Sequence, residues 1–247
     1  MNRHRELAQM MRAAAGPPPG EIPTNGLVNW WKFDEGTGST VTDYGTASVN
    51  AILEQNATPA WDPANWLTDP DLGRTVYQNQ VSLNNAVNIT GIDFAPRPLT
   101  FVYHVKNTVV GNGNLRIMDI NASRLILQVN VTSTDNTIRF YDFSSWNDTV
   151  LTSGMFDIGS WHQAAIVIDD SISAPTDNEF VYVDGSQFIS LRQAATIGFN
   201  SASRLGAHNT GTTDFADGLE FADVLFYNRV LSLSELAEIR DTVLGGN

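Results

Sequence analysis

Four acidic residues, Asp214, Asp217, Glu220 and Asp223, recur at intervals of three and form the densest carboxylate cluster in the 247-residue chain. Two carboxylates about 5–10 Å apart can hydrolyse a glycosidic bond, one as acid and the other as base or nucleophile. On an extended strand, residues three apart fall on opposite faces, so this spacing does not set two acids across one cleft. The four histidines, His4, His104, His162 and His208, show no HxH or HExxH spacing, which leaves a zinc site without local support. A Gly-x-Ser-x-Gly elbow for a serine nucleophile is missing. Gly111-Asn112-Gly113-Asn114 reads as a hairpin-like loop, with no following helix to cradle a phosphate. The remaining small-molecule chemistry is that of sugar contact, in which an aromatic ring lies under a sugar face and Asn or Asp side chains meet the hydroxyls. Trp61 and Trp66, in WDPANWLTDPD, and Trp146, beside Asn147 and Asp148 in SSWNDT, are the candidate glycan contacts. Tryptophan is equally a packing residue, and exposure separates the two readings.

Composition narrows the classes of partner. The net charge of −13 argues against the clustered Lys and Arg that a nucleic-acid backbone requires, and against adsorption to an anionic membrane. No run of 18 apolar residues exists to span a bilayer. There is no cysteine, so disulfides and thiolate chemistry are excluded. An apolar fraction of 42% can fill a sizeable core, while the 17% of charged residues leaves a polar, Asn/Ser/Thr-rich exterior.

The elements that must position these residues are nearly all strands. LTFVYHV (99–105), RLILQVNV (124–131), TIRFY (137–141), WHQAAIVI (161–168) and EFVYV (179–183) are rich in β-branched and aromatic residues and bounded by Gly, Asn, Asp, Ser and Pro. Asp184-Gly185 predicts a two-residue hairpin turn with positive φ at both positions. One helix is predicted at the C-terminus: Ser232 or Ser234 caps it, Gly245-Gly246 end it, and Leu233, Leu236, Ile239 and Val243 form its buried stripe. No composition shift divides residues 26–247, which are expected to form one domain.

Residues 1–25 differ from the rest. They carry a net charge of +1, which leaves −14 for the remainder. Leu7, Met10, Met11 and Ala14 lie on one stripe of a short helix, and Gly16-Pro17-Pro18-Pro19-Gly20 follows as a semi-rigid, extended tether. Arg3, Arg5 and Arg12 break any apolar core that a signal peptide would need, so no signal peptide is expected. One reading is a docking arm that uses Arg3, Arg5, Leu7, Met10, Met11 and Arg12; the other is a frayed tail.

Three segments carry a family resemblance. GLVNWWKFDEGTGSTVTDYG, SWHQAAIVIDD with EFVYVDG, and DGLEFADVLFYNRVLSLSELAEI together resemble, in order, the opening, central hairpin and closing strand-plus-helix of laminin-G-like, concanavalin A-like jelly-roll domains. The resemblance implies an all-β, two-sheet antiparallel jelly-roll sandwich with a short C-terminal helix, here behind an extended N-terminal arm. It also implies a structural calcium in many relatives, and Asp43 and Asp223 are the positions carried over. The chain departs from the family nearby, at Asp43-Tyr44-Gly45-Thr46-Ala47 and at Phe221-Ala222-Asp223, and Asp43 also reads as a turn cap. The Glu-x-Asp-x-(x)-Glu strand of jelly-roll glucanases does not occur, so no enzymatic activity is expected. No cofactor is expected either, the structural calcium at Asp43 and Asp223 being only what the resemblance allows.

The resemblance leaves two expectations for function. The first is a non-enzymatic virion protein: a decoration or cement-type domain fixed through its arm to a phage capsid or other virion protein, assembled in the host cytoplasm, exposed on the particle and clustered as a homo-oligomer such as a trimer. Symmetric clustering would multiply weak arms by avidity. The alternative is a lectin-like module that binds glycans in a tail fibre or at a cell surface.

Overall fold

The computed structural model describes residues 21–79, 85–92, 98–109, 113–120, 125–131, 136–142, 145–150, 157–169, 171–172, 178–191, 203–207 and 218–245. The strands of the first third are β1 (Leu27–Trp31), β2 (Thr40–Val41), β3 (Ala51–Gln55), β4 (Thr58–Pro59), β5 (Trp66–Asp69), β6 (Arg74–Gln78) and β7 (Asn85–Asn88). The middle of the chain gives β8 (Leu99–Asn107), β9 (Gly113–Ile120), β10 (Leu125–Val131), β11 (Asn136–Asp142) and β12 (Ser145–Val150). The last third gives β13 (Trp161–Ile168), β14 (Glu179–Val183), β15 (Ser186–Leu191), β16 (Arg204–Leu205), β17 (Leu219–Tyr227) and the helix α1 (Leu233–Leu244).

The strands form two antiparallel sheets. One runs β15-β14-β13-β8-β17-β6-β5, with β1 also paired to β17; it is called the helix-side sheet below. The other, the outer sheet, runs β12-β11-β10-β9-β16-β7-β3-β2, with β4 also paired to β3. A large apolar cluster joins the inward positions of the two, with Phe101, Tyr103, Ile166, Val224 and Phe226 from the helix-side sheet and Leu53, Val87, Met118, Leu127 and Leu205 from the outer sheet. Tyr103 donates its hydroxyl to Met118 Sδ across this layer. The all-β sandwich with a C-terminal helix is therefore the observed architecture.

The helix covers the far side of the helix-side sheet. Ser232 caps it by accepting from the Glu235 backbone N–H while the Glu235 carboxylate accepts from the Ser232 N–H, and Gly245 ends it at φ 80°, a conformation only glycine adopts cheaply. Leu236 and Ile239 are buried against Val102, Ala165, Leu225 and Tyr227. Leu233, expected in this stripe, is instead 54% exposed. It sits at the first helical position, and Leu231, just before the cap, takes its place by packing with Leu236 in the same cluster as a hydrophobic staple. The hairpin turn at Asp184 and Gly185 has φ 47° and 81°, as the Asp-Gly pair implied. Arg240 on α1 donates to the Asp184 carbonyl at 3.1 Å, tying helix to hairpin.

Candidate functional site

The outer face of the outer sheet, opposite the helix, carries an unusual density of buried charge. Val87, Leu205 and Met118 face the core, so their chain neighbours Asn88, Arg204 and Asp119 fall on the other face, because successive strand residues alternate. Arg204 is the direct ladder partner of both Asn88 on β7 and Asp119 on β9. Arg204 Nε donates to Glu54 Oε2 at 2.9 Å, and Asn88 Nδ2 donates to Glu54 Oε1 at 2.6 Å. One strand further on, Arg116 pairs with Asp119 at 2.5 Å. Glu54, Arg204 and Asp119 are all buried, and buried charges persist only when paired and hydrogen-bonded. Here every one of them has a partner.

The same row continues through the ladder. Asp119 is paired with Ile126 on β10, Ile126 with Tyr141 on β11, and Tyr141 with Trp146 on β12. Direct partners share a face, so the register sets Tyr141 and Trp146 in line with Asn88, Arg204 and Asp119. With strands about 4.8 Å apart, Asp119 and Trp146 are about 14 Å apart along the row. The row thus joins carboxylate, amide and guanidinium groups at one end to two aromatic positions at the other. The side chains of Ile126, Tyr141, Trp146 and Asn147 lie outside the described residues, so only the backbone register gives their positions in the row.

The other candidate tryptophans diverge. Trp61 is 40% exposed; it follows β4, where Ala60 N–H donates to the Leu53 carbonyl at 3.1 Å, at the edge of the outer sheet opposite β12. Trp66 does not belong with it. That residue is buried, its indole N–H reaches the Gly38 carbonyl at 3.3 Å, and its ring meets Tyr77 edge-on at 5.6 Å. It is a packing residue of β5, on the inward position that pairs with Tyr77.

The two aspartates expected to hold calcium have other work. Asp43 accepts four N–H bonds: Trp30 N at 2.8 Å and Gly45 N at 2.7 Å on Oδ1, and Asn29 Nδ2 at 2.6 Å and Val49 N at 2.8 Å on Oδ2. A carboxylate offers about four lone-pair sites, and these donors occupy them with their positive ends, which does not fit a cation. Gly45 allows the approach, since a Cβ there would lie 2.2 Å from the Val28 carbonyl oxygen. Asp223 accepts from Trp30 Nε1 at 2.6 Å and from Arg74. A bulge in β17, where the pairing slips between Phe221 and Val224, carries Asp223 to the helix side, and bulges commonly re-aim a side chain in this way. Among the described residues, no group of three or more His, Asp or Glu side chains converges on a metal position.

The helix-side sheet buries the other titratable groups. Lys106 ends in a cage of Asp69, Glu220 at 3.2 Å and Asp71 at 3.6 Å, above the Trp161 ring at 5.2 Å. Desolvation pushes the Glu220 pKa above its ordinary value, whereas Asp69, despite burial, is held below its own by Lys106 and the Leu72 N–H. Glu220 and Asp223 therefore serve separate ion pairs; Asp214 and Asp217 lie outside the described residues. His104 is wholly buried: Nδ1 meets the Asp223 carbonyl at 3.0 Å and Nε2 meets Gln163 Nε2 at 3.3 Å. Burial first, against the pull of Asp223, lowers its pKa to about 4. His162 Nδ1 meets Asp184 Oδ2 at 2.7 Å. Residues 1–20, which hold His4 and the expected docking residues Arg3, Arg5, Leu7, Met10, Met11 and Arg12, lie outside the described residues, as does His208. Sequence reasoning missed Glu54, Asn88, Arg116, Asp119 and Arg204, because no local motif joins residues that meet only across four strands.

Comparison with known proteins agrees with this fold. The family profile of the concanavalin A-like lectin/glucanases superfamily, in its laminin-G form, matches residues 79–237. No curated protein matches the chain in sequence. Among solved structures, Trypanosoma rangeli sialidase is similar at 16% identity and TM-score 0.62, over 98% of this chain and 38% of the sialidase. Domain 4 of the extracellular arabinanase AbnA from Geobacillus stearothermophilus, solved with arabinotriose, is similar at 13% identity and TM-score 0.62, over 86% of this chain and 97% of that domain. Botulinum neurotoxin type C, which depends on two ganglioside molecules to get into cells, is similar at 11% identity and TM-score 0.57, over 88% of this chain and 51% of the toxin chain. At such identities the likeness is one of fold, and the chain spans well under half of the sialidase. Sheet order, helix position and the profile match over most of the chain lead to one statement: the protein belongs to the concanavalin A-like lectin/glucanase superfamily.

Proposed function

We propose that the protein is a non-catalytic, lectin-like domain that binds glycans on the outer face of its outer sheet. The observation that carries this reading is the single ladder row from Asn88, Arg204 and Asp119 to Tyr141 and Trp146. Glu54, Arg204 and Asp119 are buried in their ion pairs and fix the face. The half-buried Asn88 amide and the aromatic positions Tyr141 and Trp146 are therefore the groups offered to a sugar. The stretch of the row from Asp119 to the Trp146 position, about 14 Å, suits a short oligosaccharide better than a single ring. Support also comes from neighbours of the same fold, one solved with arabinotriose and another dependent on gangliosides. The non-catalytic part of the reading is supported by Asp69, Glu220 and Asp223 of the helix-side sheet, which are engaged in ion pairs with Lys106 and Arg74. Mounting of such a domain on a virion or other assembly through residues 1–25 remains compatible with it, but draws no support from the fold neighbours.

A glycan array probed with the full chain tests the reading. Binding to at least one oligosaccharide class is expected, and Trp146→Ala should abolish it while the melting temperature stays within a few degrees. An array without hits, or hits indifferent to both Trp146→Ala and Tyr141→Ala, would reject the proposal.

A further inference from the structure

A groove runs along the C-terminal end of α1 on the side of the molecule opposite the glycan face. It consists of two adjoining hollows of about 670 and 700 Å³, which share Asp71, Leu72, Leu244 and Gly245 as a common wall. Trp30 stands in the first and Trp161 in the second. Both rings already hold an ammonium group of the protein itself, Lys32 at 4.4 Å from Trp30 and Lys106 at 5.2 Å from Trp161, so cation recognition by these rings is present in the fold. Ile22, Leu72, Val243 and Leu244 give the groove apolar patches. Its charged lining is acidic: Glu21, Asp34, Asp71, Asp184, Asp223 and Asp241 stand against three basic side chains, Lys32, Arg74 and Arg240.

The chemistry that matches such a groove is a polypeptide segment with arginines and a few flexible apolar side chains. This chain holds one. Residues 1–20 carry Arg3, Arg5 and Arg12 against Glu6 alone, with Leu7, Met10 and Met11 among them, while residues 26–247 carry −14. The chain leaves the groove at its own rim, since Glu21 and Ile22 line it. Pro17-Pro18-Pro19 prefers an extended form of about 3.1 Å per residue, a stiffness in the sequence that disfavours a tight return of the basic segment onto the groove beside which it starts. We propose that the groove receives the Arg3–Arg12 segment of a second copy of the chain. Exchange of segments between two copies would close a dimer, and serial exchange would build a larger ring or filament. The proposal is independent of the glycan reading and uses the opposite face.

Sedimentation of the full-length chain over a range of concentrations and salt tests it. Self-association is expected at low ionic strength and should weaken as salt screens the exposed charges. Two variants bear on the contact: the triple reversal Arg3→Glu, Arg5→Glu, Arg12→Glu, and the groove reversal Asp34→Lys, Asp71→Lys at two exposed positions. Each alone should raise the dissociation constant roughly tenfold or more. An equimolar mixture of the two should regain association, which a segment folded onto its own chain cannot provide. A chain that stays monomeric at low salt, association indifferent to either reversal, or a mixture that regains nothing would overturn the proposal.

Discussion

Asp43 shows how one carboxylate can organise an entrance to the fold. Its four N–H donors come from the Trp30 backbone and Asn29 side chain of β1 and from Gly45 and Val49 in the loop between β2 and β3, and a hydrogen bond to a charged group contributes about 1.5–3 kcal/mol. Asp43→Ala should therefore lower stability by about 3 kcal/mol or more in chemical denaturation, whereas calcium or a chelator should leave the wild-type melting temperature unchanged. His104 supplies the second residue-scale test. Its pKa is about 4 in the fold against 6.5 for an ordinary histidine. The unfolded chain therefore takes up a proton below pH 6.5 that the native state refuses until about pH 4, so stability falls as pH drops through that window. The loss from this group amounts to about 3 kcal/mol, and His104→Gln should flatten that part of the stability profile. The turn-capping part of the Asp43 role, its bond from Gly45 N, was legible from residue type; its reach to β1 and the burial of His104 were not. Trp66 and Trp61 look alike in sequence, yet one packs on Tyr77 and the other is exposed. Burial is decided by which strand position pairs with the other sheet, and a local pattern does not contain that information.

Longer elements declared themselves more clearly. β13 and β14 begin and end where the runs of β-branched and aromatic residues do, and β8 extends the expected run by two residues to Asn107. These strands are inside positions of the helix-side sheet; β8 and β13 are buried almost throughout, while β14 alternates between buried and half-buried residues. Strands β2, β4, β7 and β16 are two to four residues long and carry Asn, Thr or Arg outward; they lack the alternation that marks a strand. The β17 bulge was equally hidden, although it falls at the Phe221-Ala222-Asp223 stretch where the chain departs from its family. The helix cap was legible because its chemistry is local. Ser232 accepts from Glu235 N at 3.3 Å while Glu235 Oε2 accepts from Ser232 N at 2.9 Å. Ser232→Ala should cost about 1 kcal/mol in thermal unfolding, with little change in sheet content by circular dichroism.

At the scale of the molecule, the two sheets divide the labour. The helix-side sheet is covered by α1, holds Lys106 and Arg74 in local ion pairs, and is flanked by the acidic groove. The outer sheet carries on its far face a row of paired, buried polar groups, with exposed Trp61 beyond β4 at one end of the sheet and the Trp146 register position on β12 at the other. Fold class followed from short strands, turn residues and the family-like segments, because those signals are local or nearly so. The polar row did not, since Glu54, Asn88, Asp119 and Arg204 come from four strands separated by as many as 150 residues. Only the ladder assembles them. The most direct measurement is amide chemical-shift mapping of the labelled, full-length protein titrated with its best oligosaccharide from the array. The account predicts perturbations concentrated on β7, β9, β16 and the β11–β12 hairpin, with α1 and the Trp30–Trp161 groove unmoved; shifts confined to the helix side, with the outer sheet silent, would contradict it.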